Sequence, residues 1–209
     1  MSEQTDDTQR LLSLARELVN AESAGIAALA AQIDVRLVDV ARRMVSSEGK
    51  VLVGGVGTSG ETARRMAHLL SVTGTPSLFI HPADALHGGL GAVEPEDVVI
   101  AISKGGKSEE VNEFVRRSRE IGAFVVAITG AATTYLAGIS SIAIALDANA
   151  DAEPGGIAAM GSTLVVSAWG DALALVAMQL RGEDWSKVLS RHPGGAVGRR
   201  GFEHRDPNT

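Results

Sequence analysis

The chain has 209 residues, 45% of them hydrophobic but only 3% aromatic, and a formal net charge of −6 at pH 7. This mildly acidic balance argues against a protein that coats nucleic acid or an anionic membrane. The sequence has no cysteine, which excludes disulfides and a thiolate metal site. It also has no run of about 18 apolar residues, so we expect no membrane span. Its polar, acidic beginning is unlike a signal peptide, so we expect a cytoplasmic protein.

Two amphipathic helices are predicted at the beginning of the chain. Apolar residues recur at steps of three and four over residues 9–32 and again over residues 35–47, which is the spacing of one helix face. Asp34 stands where the second of these helices needs an N-cap. The apolar stripes of both helices can pack on the domain itself or on a partner.

Five short apolar runs follow, and they alternate with helical patterns. The predicted strands are 51–53, 78–80, 98–102, 124–128 and 142–146. The predicted helices are 59–73, 108–121, 161–181 and 183–190. Because the strands are rich in β-branched residues and lack polar alternation, both faces of their sheet should be buried. The sequence therefore predicts an α/β fold with a five-stranded parallel sheet between helical layers, a three-layer α-β-α sandwich.

The first predicted strand runs into a glycine-rich turn, Gly55–Gly60, that opens a helix. The glycines fit the spacing G-x-G-x-x-G of dinucleotide-binding turns. That interpretation requires an acidic residue at the end of the second strand, and Asp84 comes too late. A tight turn without a ligand is a second interpretation. The hydroxyls of Thr58 and Ser59 favour a third, in which the helix N-terminus binds a phosphate or sugar hydroxyls.

A second polar turn, Ser103–Ser108, follows the third predicted strand and also opens a helix. It combines hydroxyls and two glycines with the ammonium groups of Lys104 and Lys107, and a helix N-terminus favours an anion. A solvated basic turn is the alternative interpretation. In the first helical turn, Glu109 and Glu110 complement the helix dipole. Beside a bound phosphosugar, a carboxylate at this place is also well positioned as a general base.

Three histidines stand beside turn residues: His81, His87 and His192. Histidine changes its charge near neutral pH and therefore suits proton transfer, although a single histidine in a loop is more often structural. The sequence contains no H-x-x-x-H or H-E-x-x-H spacing, so metal ligation by these residues is not expected.

In these turns the sequence resembles the sugar isomerase (SIS) domain, and within it the arabinose 5-phosphate isomerase branch. The resemblance covers residues 20–200. It is carried by the segments Gly55–Gly60, Ser71–Pro76, His81–Gly91, Asp97–Ser103, Gly161–Thr163, Gly170–Leu173 and His192–Arg199. The combination of H-P-A…L-H-G with H-P-G-G-A-x-G-R is characteristic of this branch.

The resemblance implies a flavodoxin-like five-stranded sheet, a homotetramer and active sites at subunit interfaces. It also implies aldose–ketose isomerisation of a phosphosugar through an enediol(ate), without a cofactor. From the charge, the hydropathy and the histidine spacing we expect no metal and no membrane or nucleic-acid partner. The predicted organisation is a single SIS domain over residues 1–200, with N-terminal helices at 9–47, the sheet core and C-terminal helices at 48–200, and a polar tail at 201–209. That branch often continues into paired CBS modules, which this sequence does not contain.

Individual roles follow from the resemblance by position. It implies Glu110 as the catalytic base and His192 as a proton shuttle. It places His87 in contact with the substrate and makes Asp151 a candidate for a second acid or base. His81 matches a position where the family can bind inhibitory zinc. Together with the chemistry of the turns, the resemblance implies these substrate-binding residues: Gly57, Thr58, Ser59, Gly74, Thr75, His81, Ser103, Lys104, Gly105, Gly106, Lys107 and Ser108.

Some positions depart from the family pattern. Thr58 replaces the usual lysine of the first turn, and Gly105 replaces a serine of the second. Asp151 is one methylene shorter than the expected glutamate, and Glu153 stands in place of a cysteine. The two lysines of the second turn can supply the missing charge from the other side of the pocket. These changes leave open a sugar-phosphate-binding regulatory module without catalysis, or an isomerase of a tetrose, hexulose or heptulose phosphate.

Overall fold

The five predicted strands form one parallel sheet in the computed structural model, which describes residues 2–195. They are β1 (Val51–Gly55), β2 (Ser77–Ile80), β3 (Val98–Ile102), β4 (Phe124–Thr129) and β5 (Ile142–Ala145). Their order is β2-β1-β3-β4-β5, and every neighbouring pair is parallel. The predicted parallel sheet is confirmed. The strand order reverses beside β1, which is where open sheets of this kind bind ligands.

Eight α-helices accompany the sheet within the described residues. They are α1 (Ser2–Leu29), α2 (Val35–Ser46), α3 (Gly57–Val72), α4 (Pro82–Leu86), α5 (Glu109–Ile121), α6 (Tyr135–Ile139), α7 (Gly161–Leu180) and α8 (Trp185–Ser190). All predicted helices are present, with shifted ends. The earlier start of α3 brings Thr58 and Ser59 into its first turn, and Asp34 caps α2 by accepting the Arg36 N–H at 2.9 Å. The predicted tail at 201–209 lies outside the described residues.

Residues Pro82–Leu86 form the helix α4, which is not among the helices predicted from the sequence. Proline fits the first turn of a helix, where its missing N–H has no helical partner to lose, and Ala85 is buried against the sheet. The short helix α6 is also absent from the sequence prediction. Its N-cap is Thr134, whose side chain accepts the N–H of Ala137 at 3.2 Å. Helices of about one turn are too short to show helical periodicity.

Alternation along the strands divides the core into two layers. Side chains on one face of the sheet, such as Val53 and Ile100, pack with α2, α3 and α7. Those on the other face, such as Leu52 and Val99, pack with α4, α5 and α6. Because successive strand side chains point to opposite faces, the same apolar strands supply both cores. The predicted three-layer sandwich is thus confirmed.

α7 is the central helix of the first layer. By length and composition it is also the one helix within residues 2–195 that is apolar enough to cross a membrane. Its buried side chains, among them Trp169 and Leu173, belong to the same cluster as those of α2 and α3. This packing is that of a core helix.

The domain covers only part of the apolar stripe of α1. Leu11 and Leu14 are each 52% exposed, and Val19 is 60% exposed. Near the end of the helix Leu29 is buried, where α1 packs on α7 and on the turn at 150–152. The first half of α1 therefore presents an apolar face to solvent in a single copy of the chain.

A buried carboxylate joins β1 and β3 at their amino ends. Asp97 is fully buried and accepts the backbone N–H groups of Lys50 and Glu94, each at 2.9 Å. The Lys50 Nζ also contacts this carboxylate at 2.9 Å. A buried charge is tolerated only with such partners, so Asp97 fixes the entry into β3.

We predict that Asp97→Ala lowers the free energy of unfolding by about 2–4 kcal/mol, because it leaves two backbone N–H groups and the Lys50 ammonium without their acceptor. Glu94→Ala is the matched control. The Glu94 side chain is 65% exposed, and its loss should cost less than about 1 kcal/mol. Chemical denaturation measures both values. Equal, small losses in the two variants would contradict the anchoring role of Asp97.

Candidate active site at the carboxyl edge of the sheet

Three helices, α3, α5 and α7, begin at the carboxyl edge of the sheet, and a small cavity lies between the starts of α3 and α7. The cavity has a volume of about 90 Å³ and is lined by the ends of β3, β4 and β5 and by the first turns of α3 and α7. Its polar lining includes Ser59, Thr62, Lys104, Thr129, Asp147 and Ser162. The first N–H groups of a helix lack helical partners and carry partial positive charge. This edge is therefore suited to anionic or hydroxyl-bearing ligands.

The first turn of α3 places two hydroxyl groups at this edge. Gly57 begins the helix with a φ of +56°, a conformation that residues with a Cβ rarely adopt. Ser59 lines the cavity, whereas Thr58 is exposed. The N-cap residue, Val56, has no side chain that could cap the helix. The N–H groups at the start of α3 thus remain open to a ligand, as the glycine-rich turn predicts.

The backbone of the turn 103–108 requires glycine at position 106 but not at position 105. Gly106 has a φ of +62°, and a Cβ added there would lie 2.5 Å from the Cβ of Thr134. A Cβ added at Gly105 would meet nothing within 4 Å. The turn therefore has room for a side chain at 105, where the family pattern has serine.

The structure brings together the two predicted phosphate-contacting serines of this turn. The Oγ atoms of Ser103 and Ser108 lie 3.5 Å apart. Ser108 is the N-cap of α5, and its side chain makes no capping hydrogen bond. In the first turn of α5, Glu110 is half-buried and Glu109 is exposed. Together with the exposed Lys107, these groups form a polar cluster at the start of α5.

Lys104 is engaged by a buried acidic partner near α7. Its Nζ forms an ion pair with Oε2 of Glu153, whose side chain is 6% exposed. The other carboxylate oxygen of Glu153 accepts the backbone N–H of Ser162 at 2.8 Å, in the first turn of α7. Lys104 itself remains 48% exposed and lines the cavity. Of the two lysines expected at the α5 N-terminus, one is therefore tied to α7 instead.

Glu153 keeps its charge despite its burial. Burial alone would raise the pKa of this carboxyl, but the hydrogen bonds from Lys104 and from the backbone N–H of Ser162 outweigh that effect. The pKa of Glu153 consequently lies below its ordinary value. The N-terminus of α7 is thus already occupied by a negative charge at neutral pH.

Two of the predicted histidines flank α4 at the same edge of the sheet. The ring of His81 packs edge-on against Phe79, with the ring centroids 6.4 Å apart. Its Nδ1 is buried and has no hydrogen-bond partner among residues 2–195. His87 follows α4 and is exposed. Because α4 packs on α5, both histidines lie on the side of the edge that carries Glu110.

His192 lies at the opposite edge of the sheet. It follows α8, where its ring Nδ1 is 2.9 Å from the carbonyl oxygen of Val188. The preceding Arg191 is paired with Glu183 at 3.1 Å and reaches Gly74, between the end of α3 and the beginning of β2. α3 begins at the carboxyl edge and ends at the amino edge, a span of about 24 Å for its 16 residues.

Three of the predicted site residues, His192, Gly74 and Thr75, therefore lie at the edge of the sheet opposite the cavity. Glu110 and His192 stand at opposite edges of the sheet and cannot act on one small substrate in the same copy. Gly74 and the buried Thr75 lie at the His192 edge, in the connection from α3 to β2. One chain alone thus assembles the predicted phosphate turn and base but not the predicted proton shuttle.

Asp151 is exposed and lies outside the cavity lining. Its backbone N–H donates to the Asn149 side chain at 3.1 Å. Two residues later, Glu153 contacts the cavity-lining residues Lys104 and Ser162.

Ser162 lines the cavity but is not among the site residues predicted from the sequence. The segment Gly161–Thr163 opens an apolar helix after a turn, which is the same signal that identified the starts of α3 and α5.

No group of three or more His, Asp or Glu side chains within residues 2–195 is arranged to bind a metal ion.

A family profile described as SIS domain matches residues 44–176. The chain belongs to the SIS domain family. This SIS domain is 36% identical over 185 residues to the arabinose 5-phosphate isomerase KdsD of Salmonella typhi. The match covers 88% of this chain and 56% of that protein. The chain thus spans a little more than half the length of this curated relative.

Two solved structures share the fold of this SIS domain closely. One, from Listeria monocytogenes, has a TM-score of 0.85 and 27% identity, and covers 89% of this chain and 98% of that chain. The other, from Escherichia coli CFT073 and in complex with arabinose 5-phosphate, has a TM-score of 0.84 and 29% identity, and covers 88% of this chain and 98% of that chain. These likenesses confirm the predicted fold class.

We predict that Lys104→Met destabilises the SIS domain by about 1–2 kcal/mol at pH 7, because it leaves the Glu153 carboxylate buried with one partner fewer. The value is at the low end because Lys104 is half-exposed to solvent. Since the pKa of Glu153 is lowered in the fold, the stabilisation is complete above the unfolded value of 4.5. It is lost as the pH falls through the folded pKa.

The difference between wild type and Lys104→Met should accordingly shrink in acid, as measured by denaturation between pH 7 and pH 3. Lys107→Met is the control, because Lys107 is exposed and its loss should cost less than about 0.5 kcal/mol. A deficit in Lys104→Met that is constant across this pH range would contradict the assignment.

Proposed function

We propose that this SIS domain is a phosphosugar aldose–ketose isomerase that acts through an enediol(ate), without a cofactor. In this proposal the domain spans residues 1–200 as a single unit. The observation that carries the proposal is the polar cluster at the start of α5. There, two serine hydroxyls 3.5 Å apart, a helix N-terminus without a side-chain cap and the exposed Lys107 adjoin the half-buried Glu110.

The turn 103–108 suits the phosphate of the substrate. Ser103 and Ser108 offer hydroxyl groups, α5 offers its first N–H groups, and Lys107 offers a positive charge. Hydrogen bonds from such donors to a phosphate are charge-assisted and stronger than neutral ones. Binding energy from this non-reacting group can be used to position the reacting carbons.

The comparisons support phosphosugar chemistry. The relative that is 36% identical is named an arabinose 5-phosphate isomerase, and the structure that is 29% identical was solved in complex with arabinose 5-phosphate. Arabinose 5-phosphate is therefore the first candidate substrate. A tetrose, hexulose or heptulose phosphate is the alternative, because the carbon chain length is set by the shape of the pocket.

Glu110 is the general base of the proposed reaction. Its carboxylate takes the proton from the carbon next to the carbonyl, and the electrons of that C–H bond form the double bond of the enediolate. The negative charge moves to the former carbonyl oxygen. Return of the proton to the neighbouring carbon completes the exchange of aldose and ketose. A positioned acid–base group of this kind contributes on the order of 10²–10⁴-fold to the rate.

A second copy of the chain supplies His192 in this proposal. The active site then lies at an interface between subunits of a homo-oligomer, for which the family resemblance implies a tetramer. Two observations support it. Glu110 and His192 stand at opposite edges of one chain, and exposed apolar side chains, such as Leu14 of α1 and Trp185 of α8, are available for contact between copies. From the neighbouring subunit, His192 transfers protons between the substrate oxygens, while His87 orients the substrate.

A sugar-phosphate-binding module without catalysis is the second candidate. It is favoured by the pairing of Lys104 with Glu153, which leaves fewer free charges to act on a substrate. The exposed position of Asp151 also leaves the second acid or base unassigned. Such a module would bind the same ligands and exchange no protons.

Proton NMR in heavy water with phosphosugars from tetrose to heptose tests the proposed reaction. We expect loss of the signal of the proton next to the carbonyl and the appearance of an isomer for at least one sugar. Glu110→Gln should reduce the rate by about 10²–10⁴-fold, since it removes the base, and should retain the increase in melting temperature caused by the substrate. Glu109→Gln is the control, because its side chain is exposed in the same helical turn.

Thermal shift without exchange for every sugar would favour the binding module instead. Full activity of Glu110→Gln would show that another group is the base.

We predict that mixing two inactive variants restores activity. Glu110→Gln and His192→Ala each lack one half of the proposed site, and a mixed interface carries one site with both intact residues. The two proteins are unfolded together, refolded together and compared with each variant refolded alone. Activity in the mixture on the order of a quarter of wild type is expected if subunits combine at random at a two-fold interface. A mixture as inactive as its components would contradict the shared site.

A further inference from the structure

One end of the cavity offers hydrogen bonds that the proposed phosphate turn does not use. This end, the α7 wall, consists of Lys104 and Ser162, which line the cavity, with Glu153 in contact with both. Glu153 and Ser162 are 7% and 8% exposed. Two of the three groups are thus more than nine-tenths buried.

The α7 wall has hydrogen-bond donors and acceptors that are not used within the protein. The Oγ of Ser162 is buried and has no partner with hydrogen-bond geometry among residues 2–195, although a hydroxyl can donate one hydrogen bond and accept two. A buried polar atom in this state is rare in a folded protein. Lys104 has three N–H donors, is 48% exposed, and pairs with Glu153. Both side chains can therefore bind a ligand in the cavity.

The charge of the α7 wall is close to neutral. Glu153 pairs with Lys104 and also accepts a backbone N–H of the first turn of α7, that of Ser162, at 2.8 Å. The positive charge of the lysine and of the helix N-terminus is thereby balanced. Asp147 adds a further carboxylate to the cavity lining. A phosphate is disfavoured here, whereas uncharged hydroxyl groups, which both donate and accept, fit the wall.

We propose that the α7 wall is the subsite for the hydroxyl-bearing carbons of the substrate, and that Glu153 is a positioning residue that keeps the phosphate out of it. This inference rests on the proposed phosphosugar function and adds the orientation of the substrate. The phosphate binds at the turn 103–108 beside Lys107, and the carbon chain extends towards Ser162. The cavity has a volume of about 90 Å³, which is room for several groups of the size of a water molecule.

The test compares two non-reacting probes, arabinitol 5-phosphate and inorganic phosphate, by titration calorimetry on the full chain. The ratio of their dissociation constants isolates the contribution of the hydroxyl-bearing carbons. In wild type, the pentitol phosphate should bind at least about tenfold more tightly than phosphate, as expected for hydrogen bonds to charged and buried groups.

Three variants separate the roles in the subsite. Glu153→Gln should tighten the binding of phosphate, because Lys104 loses its counter-charge, and should reduce the ratio by about tenfold. Ser162→Ala should reduce the ratio by about threefold or more, and it keeps the backbone N–H that Glu153 accepts. Lys107→Gln should weaken both probes alike and leave the ratio unchanged, because it belongs to the phosphate end.

The results of this test distinguish failure of the proposed subsite from failure of the proposed function. A ratio that stays at its wild-type value in both Glu153→Gln and Ser162→Ala would overturn the subsite and leave the phosphosugar function standing. Equal binding of the two probes by wild type would also overturn the subsite and leave the phosphosugar function standing. Failure of wild type to bind any phosphosugar would overturn the proposed function and the subsite with it. If circular dichroism shows that Glu153→Gln is unfolded, Ser162→Ala decides.

Discussion

All five strands run in one direction, and each helix that follows a strand must therefore begin at the same edge of the sheet. This constraint places the N-termini of α3 and α5 together, and α7 starts beside them. Each of these helix starts contributes partial positive charge. The sheet thereby creates a region of attraction for polar ligands before any particular side chain is considered. The side chains then decide what each helix start binds.

The three helix starts differ in how they are satisfied. The start of α7 is bound by the carboxylate of Glu153 from its own chain. The start of α3 has no side-chain cap, and that of α5 has a serine N-cap without a capping hydrogen bond. The protein thus neutralises one site internally and leaves two for ligands. At the opposite edge of the sheet, Asp97 with Lys50 and Glu183 with Arg191 form ion pairs within the chain.

The sequence was sufficient to predict the features that depend on neighbours along the chain. Continuous apolar runs identified all five strands, and the glycine-rich turns identified the starts of α3 and α5. The helix α4 was missed because a proline beside histidines is typical of a turn, and one helical turn leaves no periodic signal. The contact of Lys104 with Glu153 joins residues 49 positions apart. No spacing rule covers such a pair, and only the packing of α7 against the ends of the strands brings it about.

The same distinction applies to the catalytic candidates. The family motif placed Glu110 and His192 in one predicted site, because a motif records that residues act together and not that one chain carries them to one place. The structure separates them by the length of α3, since the chain passes from one edge of the sheet to the other before it reaches α8. The sequence thus indicates which residues belong to one site, but it does not indicate whether one copy of the chain brings them together.

The two adjacent glycines of the turn 103–108 have a consequence for the evolution of this scaffold. Gly106 is fixed by its positive φ and by the side chain of Thr134, whereas a side chain at Gly105 would enter open space. A mutation at 105 can therefore alter the chemistry presented to a ligand without altering the course of the backbone. Position 106 must therefore stay glycine for the turn to keep its shape, whereas position 105 is free to vary. A lineage with this turn can gain a side chain at 105 in one substitution while the backbone of the turn stays unchanged.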